Sequence, residues 1–325
     1  MRVVRLAALL SITIPSCPVL SQPSGRLNPV VELLAARKAV FGLYAPANRR
    51  ARPGAPADTT TPRTAAQLAT EALSYPKGDL LFDGSMEGDF DTGFPAWAGY
   101  MAALDAAGMV QKGGAPRLSH PIFVKTHKIS ENAAVAVDRI GRQLNEGAAG
   151  VVFVEVESAE ELKAGLAAMR FRSNGGTRAD AVGAAPGRWG MSEKDYRSKA
   201  DLWPLNPKGE LVNWSIVETK AGLAKVREIA AVPGIGALFP GAGSLRGVFT
   251  TTDASGKRVF DEAGWEGAIQ QVLAACKEFK VPCGYPANER DIEKRMAEGF
   301  SVFIIGWGEA GFRAVDIGRR VAGRP

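Results

Sequence analysis

Eight short apolar runs, each followed by a stretch of helical periodicity, recur along this chain with a regularity that few architectures satisfy. The runs lie at 39–45, 79–84, 122–127, 150–157, 211–219, 237–241, 282–285 and 301–307. Helical patterns fill the intervals at 64–74, 94–108, 130–146, 158–171, 221–231, 265–279 and 289–298, with a closing helix from Ala310. Strands alternating with helices build a parallel sheet whose crossover helices cover it. Eight such units predict an α/β fold of the (β/α)8 TIM-barrel type. That fold needs ~250 residues, so 325 residues leave room for an N-terminal helix and two insertions, at 46–63 and 172–210. Ser158 with Glu161 reads as a capping box, and Gly147 after Arg-Gln-Leu-Asn-Glu as a helix stop.

The first 21 residues carry two arginines, an apolar stretch and then small residues, the layout of a secretory signal. Residues 1–21 are therefore expected to be a signal peptide and 22–325 a single barrel domain. The expected location is periplasmic or secreted; attachment as a lipoprotein through Cys17 is the less favoured alternative, because Pro15 precedes it. No later segment has the ~20 unbroken apolar residues of a membrane span. The formal charge of +6 is scattered and falls with removal of Arg2 and Arg5, which argues against nucleic acid as a partner. The basic stretch at 48–54 is interleaved with Pro, Gly and Ala and reads as a solvated linker. Cys276 and Cys283, seven residues apart, are either a disulfide of an oxidising compartment or two separately buried thiols.

In a barrel of this kind the chemistry sits where the strands end at their C-terminal side. The ionisable residues expected there are Asp83 and Glu87 after the second strand, Lys125 and His127 on the third, Glu155 and Glu157 on the fourth, and Glu218 on the fifth. A Gly241-Ala242-Gly243-Ser244 turn follows the sixth. A carboxylate closing an apolar strand, as Glu218 does, is costly unless something pairs with it.

Several segments together resemble the HpcH/HpaI aldolase and citrate lyase β-subunit-like family. They are Ile216-Val217-Glu218-Thr219, Glu-Ile-Ala-Ala-Val-Pro-Gly-Ile-Gly at 228–236, the Gly241–Arg246 turn, 144–162, Gly-Leu-Tyr-Ala-Pro at 42–46 and 281–306. The resemblance implies a carbon–carbon lyase of the aldolase type that makes or cleaves a 2-oxo acid such as pyruvate, with Mg²⁺ or Mn²⁺ as cofactor. It also implies an aldehyde as second substrate, and a homo-oligomer in which the last helix packs against or exchanges with a neighbouring subunit.

Carried over residue by residue, Glu218 matches the family's metal-binding Glu, while Ser244 stands where the family has Asp. Lys125 stands where an Arg polarises the carbonyl, Ile216 replaces a Gln, and the turn at 83–88 lacks the family's His. Strict alternation along 150–157 places Glu155 on the inward face with Val151 and Phe153, where it could join Glu218 on one cation; its alternative is pairing with Lys125. His127 and Glu87 are the candidates for proton transfer, and Lys125 for a Schiff base or a carbonyl contact. Gly241, Ala242 and Gly243 offer backbone N–H groups to a carboxylate. Trp189, Tyr196 and Trp203 are expected in a loop over the pocket, Trp189 touching substrate. The competing reading is a degenerate barrel that binds a small carboxylate without turning it over.

Overall fold

The computed structural model describes residues 25–48, 61–111 and 115–325. The leader expected at 1–21, with Cys17, and most of the insertion at 46–63 lie outside the described residues.

All eight expected runs form strands: β1 (Val40–Tyr44), β2 (Leu80–Asp83), β3 (Ile122–Lys125), β4 (Gly150–Phe153), β5 (Leu211–Val217), β6 (Ala237–Pro240), β7 (Gly284–Ala287) and β8 (Val302–Ile305). Every neighbouring pair is parallel, in the order β7-β8-β1-β2-β3-β4-β5-β6. The sheet curls until its ends meet. Leu238 on β6 donates its N–H to the Pro282 carbonyl (3.0 Å) and bridges to Cys283, just ahead of β7. This is the α/β curled parallel sheet of a TIM-barrel-like fold. Its strands are nearly continuous apolar runs because both faces are covered; all seven residues of β5 are buried. Where the ends meet, a Cβ added to Gly284 would lie 2.1 Å from the Phe239 ring, so only glycine fits there.

The outer helices follow local signals in the sequence. In the helix Ala65–Leu73, Thr64 and Gln67 form a reciprocal capping box. Ser158 caps the helix Ala159–Ala168 by accepting from the Glu161 N–H at 3.1 Å, but the box expected here is only half made. The Glu161 carboxylate instead accepts from the backbones of Ser130 and Glu157. The helix Phe90–Ala106 starts one turn before the expected 94, because Asp89 accepts from the Thr92 N–H and caps it. The expected helix 221–231 is broken at Lys225 into Lys220–Ala224 and Val226–Ala230.

The final helix, Glu309–Val321, lies on its own barrel. Phe312 stacks on Tyr75 (4.0 Å), Asp316 pairs with Lys77 (2.6 Å), and the following Arg324 pairs with the buried Asp79 (2.5 Å). Cys276, in the helix Glu262–Phe279, and Cys283 are joined as a disulfide. Among the described residues no helix is long and apolar enough to cross a membrane.

The insertion 172–210 forms the helices Ala185–Arg188 and Glu193–Lys199 and a short strand Leu202–Trp203 that pairs with the first residues of β5. It was expected to cover the pocket, and it does the opposite. A segment that leads into a strand emerges at that strand's N-terminal end, so this one braces the closed end of the barrel. Trp189 is fully buried and donates its indole N–H to the Gly147 carbonyl (2.9 Å), just ahead of β4. Tyr196 is equally buried, packs edge-on against Trp189 (4.9 Å) and donates to the Leu144 carbonyl (3.0 Å). Neither ring can touch a substrate at the mouth.

Candidate active site

At the C-terminal ends of the strands lies a cavity of about 210 Å³ to which every strand contributes. Its wall is mainly apolar: Tyr44, Phe82, Trp214, Ile216, Phe239 and Ile304 line it, with Pro240 and Pro286. Polar groups are few: Lys125, Glu218, Ser244, the Tyr44 phenol and the backbone of Gly241–Gly243. This is the usual make-up of a small-molecule site, an apolar recess with a small number of fixed polar groups.

Glu218 stands one residue beyond β5 and is 5% exposed. Its Oε1 accepts from the backbone N–H of Glu155 (3.0 Å). Its other oxygen lies over Gly241, where an added Cβ would come 2.7 Å from Oε2 and 2.3 Å from the Glu218 Cβ. Among the described residues no Lys, Arg or His pairs with this carboxylate. A buried carboxylate with a single backbone donor is sparsely compensated, and its second oxygen faces the cavity.

The inward placement expected for Glu155 is overturned. β4 ends at Phe153, and Glu155 adopts a left-handed backbone (φ 48°), which breaks the alternation that would have aimed its side chain into the barrel. The side chain, half exposed, turns to Lys128 (3.4 Å), which Glu157 also contacts (2.8 Å). What Glu155 gives the site is its N–H. Glu155 does not pair with Lys125 either, because Lys125 is held by Glu87 at 2.7 Å. Among the described residues no group of three or more His, Cys, Asp or Glu side chains converges as a metal cage.

Lys125 lines the cavity with its side chain 14% exposed, and Glu87, 41% exposed, sits beside it at the rim. His127 lies outside the cavity lining. Its ring bridges the Glu87 carbonyl (2.9 Å) and the Glu131 carboxylate (2.6 Å), and those two acceptors, the carbonyl foremost, raise its pKa above the ordinary value. Asp83 closes the turn after β2 by accepting from the N–H and hydroxyl of Ser85, so it is spent on structure. Gly241, Ala242, Gly243 and the exposed Ser244 border the cavity as expected.

Two lining residues that carry a polar group, Tyr44 and Trp214, had no part in the expected site. Tyr44, the last residue of β1, packs edge-on against Phe82 (4.9 Å). Desolvation raises its phenol pKa against the lowering by Lys125, with Glu87 and Glu218 adding to the rise. Trp214 is buried between Phe123 (4.4 Å) and Phe239 (5.2 Å), and its indole Nε1 has no hydrogen-bond partner among the described residues. Tyr44 was signalled only by being a polar aromatic residue at a strand end. Trp214 reads in sequence as one more core aromatic.

The chain is 35% identical over 144 residues to the 2-dehydro-3,6-dideoxy-6-sulfogluconate aldolase of Pseudomonas putida, a match covering 44% of this chain and 51% of that enzyme. The chain thus spans about half the length of the curated relative it matches. The fold is similar to that of an HpcH/HpaI aldolase/citrate lyase family protein from Burkholderia cenocepacia J2315, with a TM-score of 0.62 at 19% identity, covering 91% of this chain and 96% of the other. It is also similar to protein CitE from Mycobacterium tuberculosis, solved in complex with magnesium and acetate, with a TM-score of 0.50, 14% identity and coverage of 90% and 92%. The model of the HpcH/HpaI aldolase/citrate lyase family matches residues 118–310, the span that holds Lys125, Glu218 and the glycine turn, and the chain belongs to that family.

Proposed function

We propose that the protein is a carbon–carbon lyase of the aldolase type whose substrate is a 2-oxo acid such as pyruvate, or the longer oxo acid from which one is released. The observation that carries this reading is Glu218, a buried carboxylate at the barrel mouth with one backbone donor and, among the described residues, no Lys, Arg or His paired with it. Family membership and the aldolase relative support the reaction class. A divalent ion, Mg²⁺ or Mn²⁺, fits the under-compensated carboxylate. Glu218 would be its one anionic protein ligand, with the Ser244 hydroxyl nearby and the substrate's own oxygens and water completing the shell, as such hard cations accept. When bound, it supplies positive charge where cleavage leaves an electron pair on the 2-oxo oxygen.

The chain's own residues do the rest. The Glu155 N–H fixes the orientation of Glu218, and Gly241 keeps its second oxygen clear. The backbone at Gly241–Gly243 borders the place for the substrate carboxylate. Lys125, held by Glu87, presents an ammonium group to the oxo oxygen, and Glu87 is the carboxylate placed to carry a proton at the rim. His127 is tied to two acceptors and positions the Glu87 backbone. Phe82, Trp214, Phe239 and Ile304 exclude water beneath the reacting carbons and favour an apolar aldehyde partner. The Cys276–Cys283 disulfide supports a working place outside the reducing cytoplasm, in keeping with an exported protein.

The test is pyruvate release from 4-hydroxy-2-oxo acids by protein stripped of metal and then given Mn²⁺. Activity should depend on the ion, and Glu218→Gln should lower kcat/KM by at least ~100-fold, about 2.7 kcal/mol of lost stabilisation, and weaken Mn²⁺ binding measured separately. Wild-type protein that binds oxalate or pyruvate without ever cleaving an oxo acid would instead establish a carboxylate-binding barrel.

A further inference from the structure

At the opposite end of the barrel a second cavity, of about 270 Å³, opens between the helix Pro29–Ala35, the helix Glu262–Phe279 and the entries to β7 and β8. Arg37, Lys38, Lys277 and Lys280 line it, and no Asp or Glu is among its lining residues. Lys277 donates to the Glu298 carbonyl (2.7 Å), while the Glu298 carboxylate is engaged by Arg295 (2.9 Å) and Lys294 (3.7 Å). Four like charges around one recess repel one another, and none of the four is paired with a carboxylate lining it.

Backbone conformation sets this cluster apart from an ordinary solvated patch. Among the described residues three non-glycine residues lie in the left-handed region. One is Glu155, whose N–H holds Glu218. The other two are Arg37 (φ 53°) and Lys280 (φ 56°), and both line this recess. Each follows a helix at the position where glycine commonly ends one, so the chain accepts a strained backbone there and keeps a cation. Cations at helix ends also answer the helix dipole, but each end carries only roughly half a negative charge. Two ends therefore offset about one of the four positive charges, and Lys277 has the Glu298 carbonyl as a further acceptor.

We propose that this recess is an anion-binding site for a compact oxyanion of two or three negative charges, of the phosphate or polycarboxylate class. The proposal is independent of the lyase reading, since no residue is shared with the mouth of the barrel.

The test is isothermal titration of the full protein at low ionic strength without divalent metal, with inorganic pyrophosphate and with citrate, and acetate as the monovalent control. At least one multivalent anion should bind with a Kd below ~1 mM, acetate about tenfold or more weaker, and the affinity should fall as salt is raised. Pyrophosphate binding alone assigns the phosphate class, citrate binding alone the polycarboxylate class. The double variant Arg37→Gly, Lys280→Gly should lose at least ~10-fold in affinity while its Tm stays level or rises, because glycine adopts those dihedrals without strain. Lys38→Glu, which leaves both left-handed positions intact, should lose binding as well and serves if the double variant misfolds. Glu218→Gln should bind as wild type does. Absence of binding by both multivalent anions, undiminished affinity in the recess variants, or loss of binding in Glu218→Gln would overturn the proposal.

Discussion

The carboxylate of Glu218 is held by two things that are not side chains, the N–H of Glu155 and the missing Cβ of Gly241. The second can be removed without touching any charge. In Gly241→Ala the new methyl would sit 2.3 Å from the Glu218 Cβ and 2.7 Å from Oε2, so the carboxylate must shift. We expect kcat/KM to fall at least ~10-fold with a stability loss of about 1–3 kcal/mol, the usual cost of overpacking. Thermal denaturation and oxo-acid cleavage measured on the same preparation check this; unchanged kinetics would mean that the orientation of Glu218 is immaterial. The same reasoning explains why Glu218 could be found in sequence and the role of Glu155 could not. A charge at the end of an apolar strand is conspicuous, whereas a donor that acts through its backbone depends on φ, which the side chain's identity does not reveal. Alternation predicts the direction of Glu155 only while the strand continues, and the strand stops two residues before it.

At the scale of elements, the eight strands were legible because burial on both faces turns each into an unbroken apolar run, β5 above all. Their ends were less so. β7 begins at Gly284 and not at 282, since Pro282 and Cys283 are used to meet β6. The insertion at 172–210 shows a different limit. Its aromatic content is visible in the sequence, but aromatic residues serve a pocket and a core equally well, and connectivity decides between them. Trp189 and Tyr196 hydrogen-bond to carbonyls at the turn between the helix Ala133–Asn145 and β4, far from the mouth. The candidate site was legible where a charged residue interrupts an apolar strand end, as at Lys125 and Glu218. It was illegible where aromatic residues such as Tyr44 and Trp214 differ from core only by facing a void.

For the molecule as a whole, acid stability should depend on one pair that ties two outer helices together. Arg295, in the helix Ile292–Glu298, is nearly buried and forks onto both oxygens of Glu266 (2.6 and 2.8 Å). Those hydrogen bonds outweigh desolvation and hold the Glu266 pKa at about 2, down from 4.5. A depressed carboxylate stabilises the fold fully above its unfolded value, and the contribution is lost as pH falls from about 4.5 through about 2. After allowance for solvent screening at a side chain 29% exposed, the loss should be on the order of 2 kcal/mol. Urea denaturation at pH 7 and pH 3 should therefore show a steep decline that is shallower in Glu266→Gln; equal slopes in the two proteins would remove the pair from the account.

Seven of the eight joints in the ring are ladders of several paired residues, and the eighth is a single rung from Leu238. The disulfide fastens that same joint, since Cys283 is the bridging residue and the Cys276 sulfur lies 3.7 Å from the Leu238 carbonyl. The ring thus behaves like a bracelet with one clasp. Hydrogen exchange at the Leu238 amide should quicken on reduction well before that of Trp214 in the middle of β5, the longest strand, and equal quickening at both would deny the clasp any special role. A cell that makes this chain without oxidising it would then hold a bracelet already half unhooked.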